Sequence, residues 1–258
     1  MKSFISFSGG VESTTMCVLF GNRADAIFAD TGFEHKEIYK RIDLVEKWVR
    51  DFHRQDFTIH KVKGNAKIHD MYFDNLIDYI REAKFYPSYN SRYCTREFKI
   101  YPIDDFLEQY KDEGCEIMIG LNADEIEMRT GNHGNKPFVK YSYPLADSGI
   151  SRAMCLHVLD KAGLKPQFPV YMQRGGCIGC YYKSKKEYEA MAVLNPEEFA
   201  IVENLEKEIQ DRRKDFFTII PNHKMEDIRI VAESSLFHPS EIYPETNTIT
   251  QCGVFCNR

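Results

Sequence analysis

The chain has 258 residues, with 34 Lys+Arg against 39 Asp+Glu, a formal net charge of −5, 43% apolar and 28% charged residues. That length predicts one large domain, or a domain with an extension, and the composition excludes a fibrous or wholly disordered protein. A net acidic balance also argues against a generic nucleic-acid coat, because counterion-release binding needs a basic excess.

Ser3–Phe7 is a short apolar run that predicts a strand, closed by Ser8-Gly9-Gly10, and Val11–Phe20 reads as a buried helix. Ala24–Ala29 predicts a second strand, ended by Asp30-Thr31-Gly32. Ile38, Ile42, Val45 and Val49 recur at helical spacing within 36–52. Phe57–Val62 and Glu116–Gly120 are further strand candidates, and 75–85 and 103–110 read as helices. Strands alternating with helices predict an α/β fold, a doubly wound parallel sheet covered on both faces. After about Ala146 the character changes: 150–162 is amphipathic, 175–180 is a tight Gly/Cys loop, and 185–213 is largely helical with Pro196 near a helix start. One more helix is expected over 225–236, and 238–258 reads as irregular. The expected division is a nucleotide-fold core at 1–146 and a helical, cysteine-bearing extension at 147–258.

No apolar run approaches the ~18–20 residues of a membrane span. Phe4–Phe7 is too short for a signal-peptide core, so the expectation is a cytoplasmic chain with no membrane partner. In a reducing compartment the eight cysteines (Cys17, Cys94, Cys115, Cys155, Cys177, Cys180, Cys252 and Cys256) read as metal ligands or thiols, not disulfides.

Strand, Gly-Gly turn and helix over 4–15 make an anion site. Two glycines let backbone approach a ligand with no Cβ in the way. Free N–H groups and the helix dipole favour negative charge there, and Ser8, Ser13 and Thr14 add hydroxyls. The turn is neither a Walker A nor a Gly-x-Gly-x-x-Gly sequence. Ser8-Gly9-Gly10-Val11-Glu12-Ser13 resembles the Ser-Gly-Gly-x-Asp-Ser signature of the PP-loop (adenine nucleotide alpha-hydrolase) superfamily. That superfamily includes ATP pyrophosphatases, thiolation enzymes and the phosphoadenylyl-sulfate (PAPS) and adenylyl-sulfate (APS) reductases. Glu12 stands where Asp is usual and has an arm one methylene longer.

Other segments narrow the resemblance. Asp30-Thr31-Gly32, with Glu34 and Glu37 after it, is similar to the Asp-Thr-Gly stretch after the second strand of PAPS reductases. It lies where α/β folds bind ligands. Ile119-Gly120-Leu121-Asn122-Ala123-Asp124-Glu125, with Arg129, resembles the Gly-x-Arg-x-x-Glu-x-x-Arg region of reductase-like members, with Asn122 where Arg is common. The resemblance implies a nucleotide site of Ser8, Gly9, Gly10, Glu12, Ser13, Thr14, Asp30, Thr31, Gly32, Gly120 and Arg129.

Cys177-Ile178-Gly179-Cys180 lets two thiolates reach one metal from a tight turn. Cys94-Thr95-Arg96-Glu97-Phe98-Lys99, followed by Pro102, is similar to the Cys-Cys-x-x-Arg-Lys-x-x-Pro-Leu stretch of APS reductases. The family binds a 4Fe–4S cluster with that pair and a Cys-x-x-Cys roughly 80 residues on, as the resemblance implies. Here 82 residues intervene between Cys94 and Cys177, and Thr95 replaces the second Cys of the pair. Cys94, Cys177 and Cys180 are thus the expected ligands of the cluster, with zinc as the alternative. Cys252, Cys256 and Cys155 remain candidates for the fourth position. Thr250-Gln251-Cys252-Gly253 is similar to the Glu-Cys-Gly-Leu-His tail of the reductases, whose Cys attacks the phosphosulfate sulfur. On that resemblance Cys252 is the nucleophile and Lys99 the basic residue beside the reacting centre; Cys256, which the family tail does not have, is then the tail thiol left to ligate metal.

The expected function is an adenylyl-nucleotide-binding enzyme of sulfur metabolism, using APS or PAPS with a thiol donor such as thioredoxin or glutathione. One alternative is an ATP pyrophosphatase working with Mg2+, which adenylates a tRNA, DNA or small-molecule substrate for sulfur or amine insertion. Another is a non-catalytic nucleotide-binding protein. The eight histidines form no ligand spacing and read as surface or core-satisfied. Lys183, Lys185, Lys186 and Arg212-Arg213-Lys214 read as solvated helix faces.

Overall fold

The computed structural model describes residues 1–126, 136–173 and 176–235. In chain order the elements are β1 (Lys2–Phe7), α1 (Val11–Phe20), β2 (Asp25–Asp30), α2 (Lys36–Phe52), β3 (Ile59–Lys63), β4 (Ala66–Ile68), β5 (Met71–Phe73) and α3 (Leu76–Ala83). A continuous helical stretch follows: α4 (Tyr93–Thr95), one π turn (Arg96–Ile100), α5 (Tyr101–Leu107) and a short 3-10 turn. Then come β6 (Cys115–Met118), β7 (Val139–Ser142), α6 (Pro144–Asp147), α7 (Arg152–Lys161), α8 (Lys185–Leu194), α9 (Pro196–Arg213) and α10 (Met225–Glu233).

Five strands form one sheet in the order β3-β2-β1-β6-β7, and every neighbouring pair is parallel. Side chains alternate across the strands, and both faces are apolar. Ile5, Phe7, Ala26, Phe28 and Met118 enter the core on the α1 and α2 side, while Phe4, Ile27, Ala29 and Ile117 join Ile103 and Leu107 of α5 on the other. The α/β class with helices on both faces is therefore as expected. The larger apolar cluster continues through Leu145 and Leu159 to Met191, Val202 and Ile228. The chain winds outward from β1 to β2 and β3, then returns to β6 and β7 on the other side of β1. The C-terminal ends of β1 and β6 consequently flank the switch point, where open α/β sheets bind ligands.

Several details differ from the periodicity reading. The helix expected to start at Ile103 starts at Tyr93, because the Cys94–Lys99 segment is itself helical. Pro102 cannot donate a backbone hydrogen bond. The preceding turn widens to a π turn, in which the N–H of Tyr101 reaches the carbonyl of Arg96. The β4–β5 hairpin and β7 are too short to register as periodic runs. The 185–213 segment divides at Asn195-Pro196 into two helices, the first opened by a reciprocal Ser184–Glu187 capping box. Among the described residues no helix is long and apolar enough to cross a membrane.

Candidate functional site

Gly9, at φ +78°, turns the chain between β1 and α1, and Gly10 is the N-cap of α1 with no side-chain cap. The first N–H groups of such a helix have no partner within it. The Ser8 N–H donates to Ser13 Oγ at 3.2 Å, and the two serine hydroxyls lie 3.2 Å apart, which braces the turn. Arg41 of α2 is buried, and its Nε donates to the Gly9 carbonyl at 2.9 Å while Nη2 donates to the Leu164 carbonyl at 2.8 Å. Burial pushes the Arg41 guanidinium down to about 10. Thr14 is fully buried, and its hydroxyl meets no partner.

Packing around α1 buries Glu12, Ser13, Thr14 and Thr15, so these polar groups need partners. Glu12 Oε1 accepts from Asn122 Nδ2 at 3.1 Å and pairs with Arg152 Nη1. Asn122 Nδ2 also reaches Glu125 at 3.3 Å, and Asp124 accepts the backbone N–H of Arg152 at 2.9 Å. The longer arm of Glu12 and the amide of Asn122 therefore belong to one network, closed by an arginine from α7. Gly120, two residues past β6, lies directly against the turn: a Cβ there would stand 3.1 Å from Ser13 N and 3.2 Å from Glu12 C. Gly120 acts by close approach. Arg129 lies outside the described residues.

At the end of β2, Asp30 Oδ1 accepts the Gly32 N–H at 3.0 Å and the Tyr39 hydroxyl at 2.7 Å. Thr31 is fully buried and donates to Glu34 Oε1 at 3.0 Å. Gly32 adopts φ +68°, and a Cβ there would meet Asn75 Nδ2 at 2.6 Å. The loop is thus held by its own side chains. It also carries the cysteine turn: Glu34 and Cys177 form an antiparallel bridge, the His35 N–H donates to the Gly176 carbonyl at 2.7 Å and the Ile178 N–H to the Phe33 carbonyl at 2.8 Å.

Cys94, Cys177 and Cys180 line one pocket with Thr95, Lys99, Phe33, Pro87 and Tyr181. Lys99 Nζ lies 3.8 Å from Cys177 Sγ and 3.6 Å from Glu34 Oε1, and the Cys177 thiol donates to the same carboxylate at 3.4 Å. Tyr86 braces the turn from below by donating to the Gly179 carbonyl. None of the three thiols is in a disulfide. Burial pushes the Cys94 thiol up, and Lys99 opposes it; burial, then Glu34, hold Cys177 far above the thiol range; burial also raises Cys180. Buried thiols that resist ionisation are poor nucleophiles. A bound cation would remove that penalty, and thiolates at these three residues would be the ones to hold it.

Cys252 and Cys256 lie outside the described residues. Cys155 is fully buried in α7, where the Thr15 hydroxyl donates to its carbonyl at 3.4 Å, and it does not line the thiol pocket; burial pushes it up to about 11. Cys17 and Cys115 are fully buried inert thiols, as expected. Lys183 corrects the solvated-face reading: it is buried, and its Nζ donates to the Tyr171 carbonyl at 2.5 Å. Arg41 and Arg152 were not legible as site residues. Arg41 sits on the apolar stripe of α2 one residue before Ile42, a cation on a buried face, and that was the available signal. His35, read as satisfied, is buried with Nε2 unpartnered.

No protein-family model matches the chain. Among curated proteins it is similar to two uncharacterized proteins of Methanocaldococcus jannaschii. MJ0973 is 30% identical over 109 residues, covering 41% of this chain and 23% of that protein. MJ0066 is 24% identical over 125 residues, covering 47% of this chain and 23% of that protein. The chain thus spans about a quarter of the length of these relatives. Among solved structures it is similar to a phosphoadenylyl-sulfate (PAPS) reductase from Candida auris in a phosphate complex. That likeness has a TM-score of 0.45 and 14% identity, over 63% of this chain and 73% of that one. The fold assignment rests on the sheet order itself.

Proposed function

We propose that the chain is an adenylyl-nucleotide-binding enzyme of sulfur metabolism, PAPS/APS reductase-like, with a 4Fe–4S cluster on Cys94, Cys177 and Cys180. One observation carries this reading. Thiols with 82 residues between them in sequence line a single pocket with Lys99, and Glu34 ties that pocket to the loop after β2, one strand away from the Ser8–Ser13 turn. The amides of that turn would hold the phosphate of the nucleotide, and Lys99 would supply positive charge beside the sulfate. The cluster, when bound, would supply a buried electrostatic centre next to the anion. In the overall reaction two thiols of the donor are oxidised to a disulfide; their electron pair reduces the sulfate sulfur, and sulfite leaves together with AMP from APS or adenosine 3′,5′-bisphosphate from PAPS. Cys252 is the proposed attacking thiol, and Cys256 the proposed tail ligand.

Asn122 favours a second reading. Its amide is engaged by Glu12 and Glu125, so it offers no cation to a sulfate. An ATP pyrophosphatase would instead activate a substrate oxygen with Mg–ATP and release pyrophosphate, leaving AMP to be displaced by sulfur or an amine. One paired assay separates the readings. APS or PAPS with a thiol yields sulfite under the first, and Mg–ATP with candidate acceptors yields pyrophosphate under the second. Tight nucleotide binding with neither product overturns both and leaves a binding protein.

A further inference from the structure

A second group of ligating side chains lies behind the cysteine turn. His35 is fully buried, and its Nδ1 is in hydrogen-bond contact with Glu198 Oε2. With the carboxylate as acceptor, the ring proton sits on Nδ1 and the lone pair on Nε2. Nε2 is buried and has no hydrogen-bond partner. Oε2 of Glu37 is also buried without a partner, while Oε1 accepts from the Tyr171 hydroxyl at 3.4 Å. One ligand atom from each of His35, Glu37 and Glu198 lies within 4.8 Å of the other two. The two orphaned atoms are both acceptors, so neither satisfies the other. Lys183 is the buried cation nearby, and its Nζ donates to the Tyr171 carbonyl. Its single charge faces the buried Glu187 as well as Glu198, so it does not neutralise the carboxylates of this group. Lys36 turns outward to Glu197, and only its backbone N–H reaches Glu198, at 3.1 Å.

We propose that His35 and Glu37, with Glu198 beside them, bind one divalent transition-metal ion of the zinc class. An imidazole nitrogen with carboxylate oxygens is a donor set for such ions. A carboxylate on the other ring nitrogen is the usual means of orienting a histidine ligand. None of the three residues lines the thiol pocket, so the site is separate from the proposed cluster and independent of the nucleotide reading. Its place in the fold points to a structural role. It joins the start of α2 to the Tyr171 turn and the start of α9, and the His35 N–H holds the Gly176 carbonyl next to Cys177. An ion there would stiffen the support of the cysteine turn.

Cobalt titration of the metal-stripped full chain tests the proposal. A Cys94→Ser, Cys177→Ser, Cys180→Ser variant removes the described pocket thiols. It should still take up one cobalt ion per chain, with weak visible bands and no sulfur-to-cobalt charge transfer. In that background Glu198→Gln should weaken uptake by about 10–100-fold, the usual effect of losing a partner behind a ligand, and Glu37→Gln by at least as much. Uptake absent from the folded triple variant, or unchanged in both carboxamide variants, overturns the proposal. Should the triple variant not fold, anomalous scattering from cobalt-loaded crystals of the unaltered chain decides. A peak at His35 Nε2 supports the site, and a water without anomalous signal there refutes it.

Discussion

Gly120→Ala probes the contact that sets the Gly9-Gly10 turn, the proposed seat of the nucleotide phosphate. The added Cβ would lie 3.1 Å from Ser13 N, 3.2 Å from Glu12 C and 3.3 Å from Glu12 Cβ. The first two are backbone atoms of the first turn of α1, so no side chain can swing away to relieve the contact. Either β6 or the helix start must retreat by a few tenths of an ångström. Overpacking of this kind costs about 1–3 kcal/mol. The part that falls on the turn appears as lost nucleotide affinity, at roughly tenfold per 1.4 kcal/mol. Denaturant unfolding and calorimetric titration with an adenine nucleotide measure the two parts. Gly163→Ala is the control: Gly163 adopts φ +66° with nothing within 4 Å of a Cβ, so it should lose about 1–2 kcal/mol of stability to backbone strain and no affinity. A Gly120→Ala protein that unfolds and binds nucleotide like the unaltered chain would refute the argument that β6 sets the position of the turn.

Cys177→Ala, purified without oxygen, should lose the brown absorbance and bound iron of the proposed cluster; a colourless unaltered chain with stoichiometric zinc at these thiols would replace iron with zinc. Arg152→Met should raise the nucleotide Kd by about tenfold or more, because Glu12 keeps its charge next to the anion and loses its cation; an unchanged Kd in a folded variant would place Glu12 away from the ligand. Asp25 is buried, which pushes its carboxyl up, but hydrogen bonds from Lys2 and Arg54 outweigh this and leave it below its usual value. Its contribution is therefore fully present above about pH 4 and is lost as pH falls through the lower folded value. Asp25→Asn should flatten the acid limb of a stability–pH curve below about pH 4, and an unaltered limb would show that the carboxylate carries none of it.

Local rules made much of this protein legible from its residues alone. The short apolar run of 3–7 and the helical stripe Ile38, Ile42, Val45 and Val49 encode strand and helix through local side-chain pattern that needs no neighbour. The Gly-Gly turn encodes a tight passage from strand to helix whose first N–H groups have no side-chain cap. Short elements escaped: three residues of β4 or four of β7 contain too little periodicity, and their pairing energy comes from a partner strand. Partnership between distant residues was also invisible in the linear order. Glu12 looked like an isolated departure until α7 brought Arg152 to it. Lys183 looked like a surface cation, and His35 like a satisfied histidine, until packing buried both. Burial and pairing depend on how faces meet in three dimensions, and the free energy of a charge or lone pair is set by those surroundings, which residue type and spacing do not specify.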